Sequence, residues 1–302
     1  MIQHVVVLGA GAIGSLYGAK LSKTCDVTLV ARPLHADAIT RSGLRIVGLE
    51  NASYTIRAVS RLTAIEPETV VLICTKAHDT ARAVSDMVAL LRDDTIVVCI
   101  QNGLGSEEAA RKIIGGRTLV LRAITQFGAI FRQPGTIDFR VAGYTLLERS
   151  DRSVEVAQLL TRSGLDGRVS DSIKTEIWQK LICNCVINPI TAILGREVGA
   201  IADPRLAPLE QLVALECLSV ARAEGVELDV DFVAMIAEVF GPSTNVASML
   251  QDLRNGKPTE IEYMNGAIAA LGVARGIPCP VNHALTEIIK AMEQSRSAVR
   301  SG

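Results

Sequence analysis

Near-continuous apolar runs alternate with helical patterns through the first half of the chain. HVVVLG (residues 4–9), DVTLVA (26–31), TVVLIC (69–74) and TIVVCI (95–100) are separated by AIGSLYGAKLS, LHADAITRSG and DTARAVSDMVALL. Strands apolar at nearly every position are those buried on both faces, so the pattern predicts a doubly wound α/β domain with a parallel sheet between helices. From about residue 116 to 147 the text changes to TLVLRAITQFG, TIDFRV and GYTLLE with the turn signal QPGT, which predicts antiparallel strands at the sheet edge. A helix over VEVAQLLTRSG and a short RVS strand close this half. Beyond about residue 172 strand signals vanish and helical periodicity takes over, in SIKTEIWQKLICNCVIN, DPRLAPLEQLVALECLSVARAEG, VDFVAMIAEVFG, EIEYMNGAIAALGVARG and NHALTEIIKAME. Two domains are predicted, 1–170 and an all-α domain over 171–302.

The length of 302 residues suits two ordinary domains, and 49% hydrophobic against 21% charged residues supplies enough apolar surface for compact cores. The formal net charge of -1 gives no global drive toward nucleic acid or an anionic membrane, so any bound anion must be held by local charges. The longest apolar runs fall short of the roughly 20 residues of a membrane-spanning helix. MIQHVVVL reads as a strand with neither a basic leader nor a small-residue cleavage site, which makes the cytoplasm the expected location. Seven cysteines in apolar contexts fit buried free thiols better than a disulfide framework. On a helix Cys183 and Cys185 point about 200° apart, which argues against a shared metal, and no metal site is expected.

The run HVVVLGAGAIGSLYG places Gly9, Gly11 and Gly14 as G-x-G-x-x-G between a strand and a helix. Gly9 would permit the tight turn, Gly11 the approach of a pyrophosphate and Gly14 close helix–strand packing, with the phosphate on the helix N-terminus at Ala12 and Ile13. At the end of the second strand, where an acidic residue would hold a ribose 2′-hydroxyl, VTLVARPLH offers Arg32. A guanidinium suits a 2′-phosphate, which favours NADP over NAD; the alternative is an ordinary solvated arginine. Lys76 in TKAHDT and Asn102 in QNGLG follow further strands at the sheet end where such folds bind ligands. His78 receives no role.

Within EIWQKLICNCVINP (residues 176–189), Lys180, Asn184 and Asn188 recur every four residues on one drifting stripe, and apolar residues cover the other sides. The helix should therefore be central, with its polar stripe facing hydrogen-bond partners or a wet cleft. A buried lysine needs a carboxylate, and Glu260, at the predicted start of a helix, is a candidate that spacing alone cannot connect to it.

Together VLGAGAIG, the arginine after the second strand, TKAHDT, QNGLG, W-x-K-L-x-x-N-x-x-x-N-P and SMLQD-x-x-x-x-x-x-TEIEY-x-NG resemble the ketopantoate reductases over nearly the whole chain. The resemblance implies a Rossmann-type domain followed by a helical domain of the 6-phosphogluconate dehydrogenase type, and NADPH-dependent reduction of 2-dehydropantoate to pantoate on the route to pantothenate and coenzyme A. It further implies Lys180 as general acid, Glu260 on the substrate hydroxyl, Asn184, Asn188, Asn245 and Ser248 around the substrate, and Asn102 near the ribose. This chain departs from the family pattern at GYTLLE, where Glu148 replaces a glycine, and at Phe139–Arg140, where a histidine is frequent. Competing readings are a paralogue reducing another small branched 2-keto acid and a non-catalytic NADP-binding regulator. The helical half has apolar surface enough for a homodimer interface, which an intrachain core would use equally well.

Overall fold

The computed structural model describes residues 2–300; Met1 and the last two residues of the polar tail lie outside the described residues. The chain divides into two compact units, one of residues up to Gln101 with Gly105–Ile173, the other of Asn102–Leu104 with the residues from Lys174 onward. The short Asn102–Leu104 segment, read from sequence as part of the first domain, thus clusters with the helical unit.

In chain order the first unit runs through β1 (His4–Leu8), α1 (Ala12–Leu21), β2 (Asp26–Val30), α2 (Pro33–Ser42), β3 (Leu44–Gly48), β4 (Ala52–Tyr54), β5 (Arg57–Val59) and β6 (Thr69–Ile73). It continues through α3 (Thr80–Met87), β7 (Ile96–Cys99), α4 (Ser106–Ile114), β8 (Leu119–Thr125), β9 (Gly128–Gln133), β10 (Thr136–Val141), β11 (Thr145–Glu148), α5 (Ser153–Arg162) and β12 (Gly167–Ser170). The larger sheet has the order β12-β11-β8-β7-β6-β1-β2-β5, so the strand order reverses between β1 and β6. Alternate residues of the central strands feed two separate cores. Val5, Val7, Leu72 and Val98 pack with Leu16, Tyr17 and Leu160, whereas Val6, Leu8, Val71 and Val97 pack with Val84, Met87 and Ile114. Burial on both faces is why these strands read as unbroken apolar runs.

The antiparallel edge predicted over 116–147 is corrected in part. β8 is parallel to β7 and continues the central sheet, and β11 is the strand that turns antiparallel against β8. β9 and β10 leave this sheet altogether. They join β3 and β4 in a second sheet of order β4-β3-β10-β9, in which β10 runs parallel to β3. That sheet was not anticipated, because β3 and β10 lie about 90 residues apart and their pairing has no local signature.

The second unit contains no strand among the described residues. Its helices are α6 (Ile173–Leu194), α7 (Ala207–Ala223), α8 (Phe232–Phe240), α9 (Ser248–Arg254), α10 (Asn265–Arg275) and α11 (Pro280–Arg300). Trp178, Leu181, Ile182, Val186 and Ile190 of α6 share a core with Val213, Val220, Ile236, Leu250, Ile268 and Ile289. α6 is 22 residues long and apolar enough by composition to cross a membrane, contrary to the expectation that every apolar run is too short, but 72% of its apolar window is buried within the protein. Central packing on several sides explains why apolar residues surround its narrow stripe of Lys180, Asn184 and Asn188.

Glu210 on α7 is buried at 1% exposure, its Oε1 has no hydrogen-bond partner, and burial pushes its carboxyl up from 4.5 to about 7. The folded chain holds this proton more tightly than the unfolded chain. Stability is therefore fullest below the unfolded value and is lost as pH rises through about 7. Glu210→Gln is expected to stabilise the protein by about 2 kcal/mol near pH 8 and negligibly near pH 4. Urea unfolding at the two pH values reads the difference, and an equal effect at both would remove titration as the cause.

Candidate active site

In the first unit the candidate residues begin at the turn after β1. Gly9 has φ +96, and a Cβ there would stand 2.6 Å from the Thr75 backbone nitrogen, so the position requires glycine. The Gly9 and Ala10 N–H groups both donate to the Val30 carbonyl at 3.1 and 2.9 Å, tying the turn to the end of β2. At Gly14 an added Cβ would meet the Gly9 carbonyl oxygen at 2.4 Å, so its role is packing. Gly11 differs: a Cβ would meet nothing within 4 Å, so no crowding from the chain itself requires glycine there. Open space at Gly11 adjoins the N-terminus of α1, whose first turn carries neither a side-chain cap nor an acidic residue. The N–H groups of Ala12 and Ile13 and the positive end of the helix face that end, a setting that fits a pyrophosphate. Beside the turn, the buried Thr75 Oγ1 has no hydrogen-bond partner.

Arg32 caps α2 just past β2, is exposed, and forms no ion pair among the described residues. Its guanidinium is free to meet a phosphate. Lys76 is half-buried at the start of a short 3-10 turn that follows β6. Two residues that the sequence reading did not single out brace this loop: Gln101 Nε2 donates to Thr80 Oγ1 at 2.9 Å, and that hydroxyl reaches the Lys76 carbonyl at 3.4 Å. Two of the residues at which the chain departs from the family pattern, Glu148 and Arg140, have structural partners. Glu148 accepts the Arg122 backbone N–H at 2.9 Å and pairs with Arg111 at 2.6 Å, and Arg140 pairs with Asp138 at 3.0 Å.

In the helical unit, α6 carries Lys180 and Asn184 half-buried and Asn188 fully buried. Asn188 Nδ2 approaches Met264 Sδ at 3.5 Å, a weak contact that fixes the end of the stripe. Burial raises the Cys183 thiol to about 12, with the Lys180 cation pulling the other way, and Cys185 is likewise raised by burial; both are free thiols. Glu260 is 5% exposed. It lies just before a 3-10 turn, Ile261–Tyr263, and α10 begins only at Asn265, which corrects the predicted helix start. The Tyr263 carbonyl accepts the Leu104 N–H at 3.0 Å, and Gly103, at φ +79, passes so close that a Cβ would stand 2.3 Å from the same oxygen. The Asn102 segment and the Glu260 segment therefore share one anchor. Asn245 is held by its backbone, accepting from Val198 N–H at 2.8 Å and donating to Ser243 Oγ at 3.2 Å, and Ser248 opens α9.

Pro189 sits inside α6 and has no N–H for the Cys185 carbonyl one turn earlier. Asn265 Nδ2 supplies the missing donor at 2.9 Å and also reaches Asn282 Oδ1 at 2.9 Å. Asn282 in turn donates to Glu216 Oε2 at 2.7 Å, and Glu216 accepts the Val281 and Asn282 N–H groups at the start of α11. Asn265 lies in the TEIEY-x-NG motif, to which spacing assigns it no task. A proline within a helical run was the available signal, since it always leaves a carbonyl in need of a donor.

A family model described as ketopantoate reductase PanE/ApbA matches residues 5–152, and its C-terminal counterpart matches residues 172–293. A 2-dehydropantoate 2-reductase of Pyrococcus horikoshii is 35% identical over 299 residues, covering 96% of this chain and 98% of that protein. The crystal structure of a PanE/ApbA family ketopantoate reductase from Ralstonia eutropha JMP134 superposes with a TM-score of 0.89 at 30% identity, covering 98% of this chain and 100% of that one. A ternary structure of D-mandelate dehydrogenase with NADH and anilino(oxo)acetate has a TM-score of 0.90 at 26% identity, with the same coverage.

Proposed function

The chain belongs to the ketopantoate reductase family, and we propose that it reduces 2-dehydropantoate to pantoate with NADPH in the cytoplasm, on the route to pantothenate and coenzyme A. The observation that carries this reading is the near-full-length likeness to a 2-dehydropantoate 2-reductase, at 35% identity. The open N-terminus of α1 at Gly11 and the unpaired Arg32 support it from the side of the cofactor.

Bound NADPH supplies a hydride to the C2 carbonyl carbon. The backbone N–H groups of Ala12 and Ile13 would hold the pyrophosphate and Arg32 the 2′-phosphate, with Lys76 and Asn102 just past the ends of β6 and β7. As charge builds on the carbonyl oxygen, the Lys180 ammonium donates a hydrogen bond to it and then its proton, so that the oxygen leaves as a hydroxyl and the lysine regains a proton from solvent. Glu260 accepts a hydrogen bond from the substrate hydroxyl, which orients the carbonyl toward Lys180. Asn184, Asn188, Asn245 and Ser248 surround the small keto acid with neutral donors and acceptors.

Loss of reduced-nicotinamide absorbance with 2-dehydropantoate, set beside other branched and aromatic 2-keto acids, tests substrate and reaction together. A much larger kcat/KM for another keto acid would overturn the substrate. For the cofactor, Arg32→Ala should raise the KM for NADPH by about 10- to 100-fold, the worth of a charge-assisted phosphate contact, and change that for NADH by less than about threefold. Equal losses would take Arg32 out of the phosphate site.

A further inference from the structure

Ser15 and His35 are buried polar residues to which the proposed chemistry gives no task. The Gly135 N–H, at the turn between β9 and β10, donates to His35 Nδ1 at 2.9 Å. An accepting Nδ1 places the ring proton on Nε2, which then donates to Ser15 Oγ at 3.0 Å. The Ser15 hydroxyl proton is left to meet the Ala10 carbonyl at 3.3 Å. Burial lowers His35 from 6.5 to about 4, so the ring stays neutral and this order of donors holds at neutral pH. The ring is also fixed against Phe131, with centroids 4.8 Å apart. One directed chain of hydrogen bonds therefore runs from the β9–β10 turn through α2 and α1 into the glycine turn.

The backbone of the same two residues holds the two ligand-facing helix starts. The Ser15 N–H donates to the Gly11 carbonyl at 3.0 Å, and the His35 N–H donates to the Arg32 carbonyl at 2.9 Å. A cofactor with its pyrophosphate at Gly11 and its 2′-phosphate at Arg32 would span both starts, and the Ser15–His35 bond is a direct side-chain link between the helices that carry them. We infer that Ser15 and His35 are a positioning pair that sets the spacing between the pyrophosphate site and Arg32, and thereby the preference for NADPH over NADH. This rests on the cofactor assignment made above.

The test compares kcat/KM for NADPH and NADH, with 2-dehydropantoate, in the wild type, Ser15→Ala, His35→Asn and His35→Gln. Asparagine retains an acceptor at the place of Nδ1 and loses the link to Ser15, whereas glutamine retains a donor at the place of Nε2. Ser15→Ala and His35→Asn should lower the NADPH-to-NADH ratio by about 5- to 20-fold through the KM for NADPH, with kcat at saturating NADPH within about twofold; His35→Gln should keep the ratio within about twofold. An unchanged ratio in Ser15→Ala, an equal rise of both KM values, or an equal loss in His35→Gln and His35→Asn overturns the inference. Thermal melts verify folding, and if His35→Asn does not fold, Ser15→Ala, which removes a single oxygen, decides. A wild type that turns over with no preference for NADPH refutes the cofactor assignment itself, a result visible before any variant is made.

Discussion

Lys180→Ala lowers kcat by about 10²- to 10⁴-fold while leaving NADPH affinity within a few-fold of the wild type. The expectation follows from the position of Lys180 in α6. A half-buried cation on a helix that is otherwise packed into the core is held by its turn of helix rather than by a loop, so truncation to alanine removes both the charge and the proton donor from a fixed place. Lys180→Arg keeps a cation but changes its reach and donor geometry, and it should recover only a small part of the rate. Single-turnover measurements separate the chemical step from cofactor binding. A kcat within a few-fold of the wild type in Lys180→Ala would mean that the proton comes from elsewhere.

Asn265→Ala destabilises the helical unit by about 3–4 kcal/mol, the combined cost of two lost bonds, a buried carbonyl left without a donor and a small void. The cause is covalent in origin. Because Pro189 cannot donate, the Cys185 carbonyl depends on Asn265, and the same amide secures Asn282. Pro189→Ala added to Asn265→Ala restores a helical donor to that carbonyl and should recover about 1 kcal/mol, so the two substitutions are coupled rather than additive. Urea denaturation of the two single variants and the double variant measures the coupling. An unchanged midpoint in Asn265→Ala would show that the carbonyl is satisfied in another way.

The parallel core was legible because its strands are buried on both faces and announce themselves in four or five consecutive apolar residues, as in β6, TVVLI. The sense of β8 was not, since a strand's direction depends on a neighbour that local text does not name. The second sheet was missed for the same reason, and because β4 is three residues long with no buried position. At the site, fixed spacing made the glycine turn and the Lys180 stripe readable, and resemblance supplied Glu260, Asn245 and Ser248. Nothing in spacing could reveal that Asn265 serves a carbonyl 80 residues earlier, or that the Gly135 N–H closes a chain through His35, 100 residues away. Long-range polar pairings carry no period.

The three glycines of the turn after β1 answer to different demands. Gly9 and Gly14 are required by the chain's own atoms, whereas at Gly11 the folded protein leaves open space. A lineage selected only to fold would therefore hold Gly9 and Gly14 and let Gly11 drift to alanine at little cost. One selected to bind a dinucleotide would hold all three. Substitution at Gly11 can thus abolish use by a cell without lowering abundance, and a screen that scores folding alone would pass it as neutral.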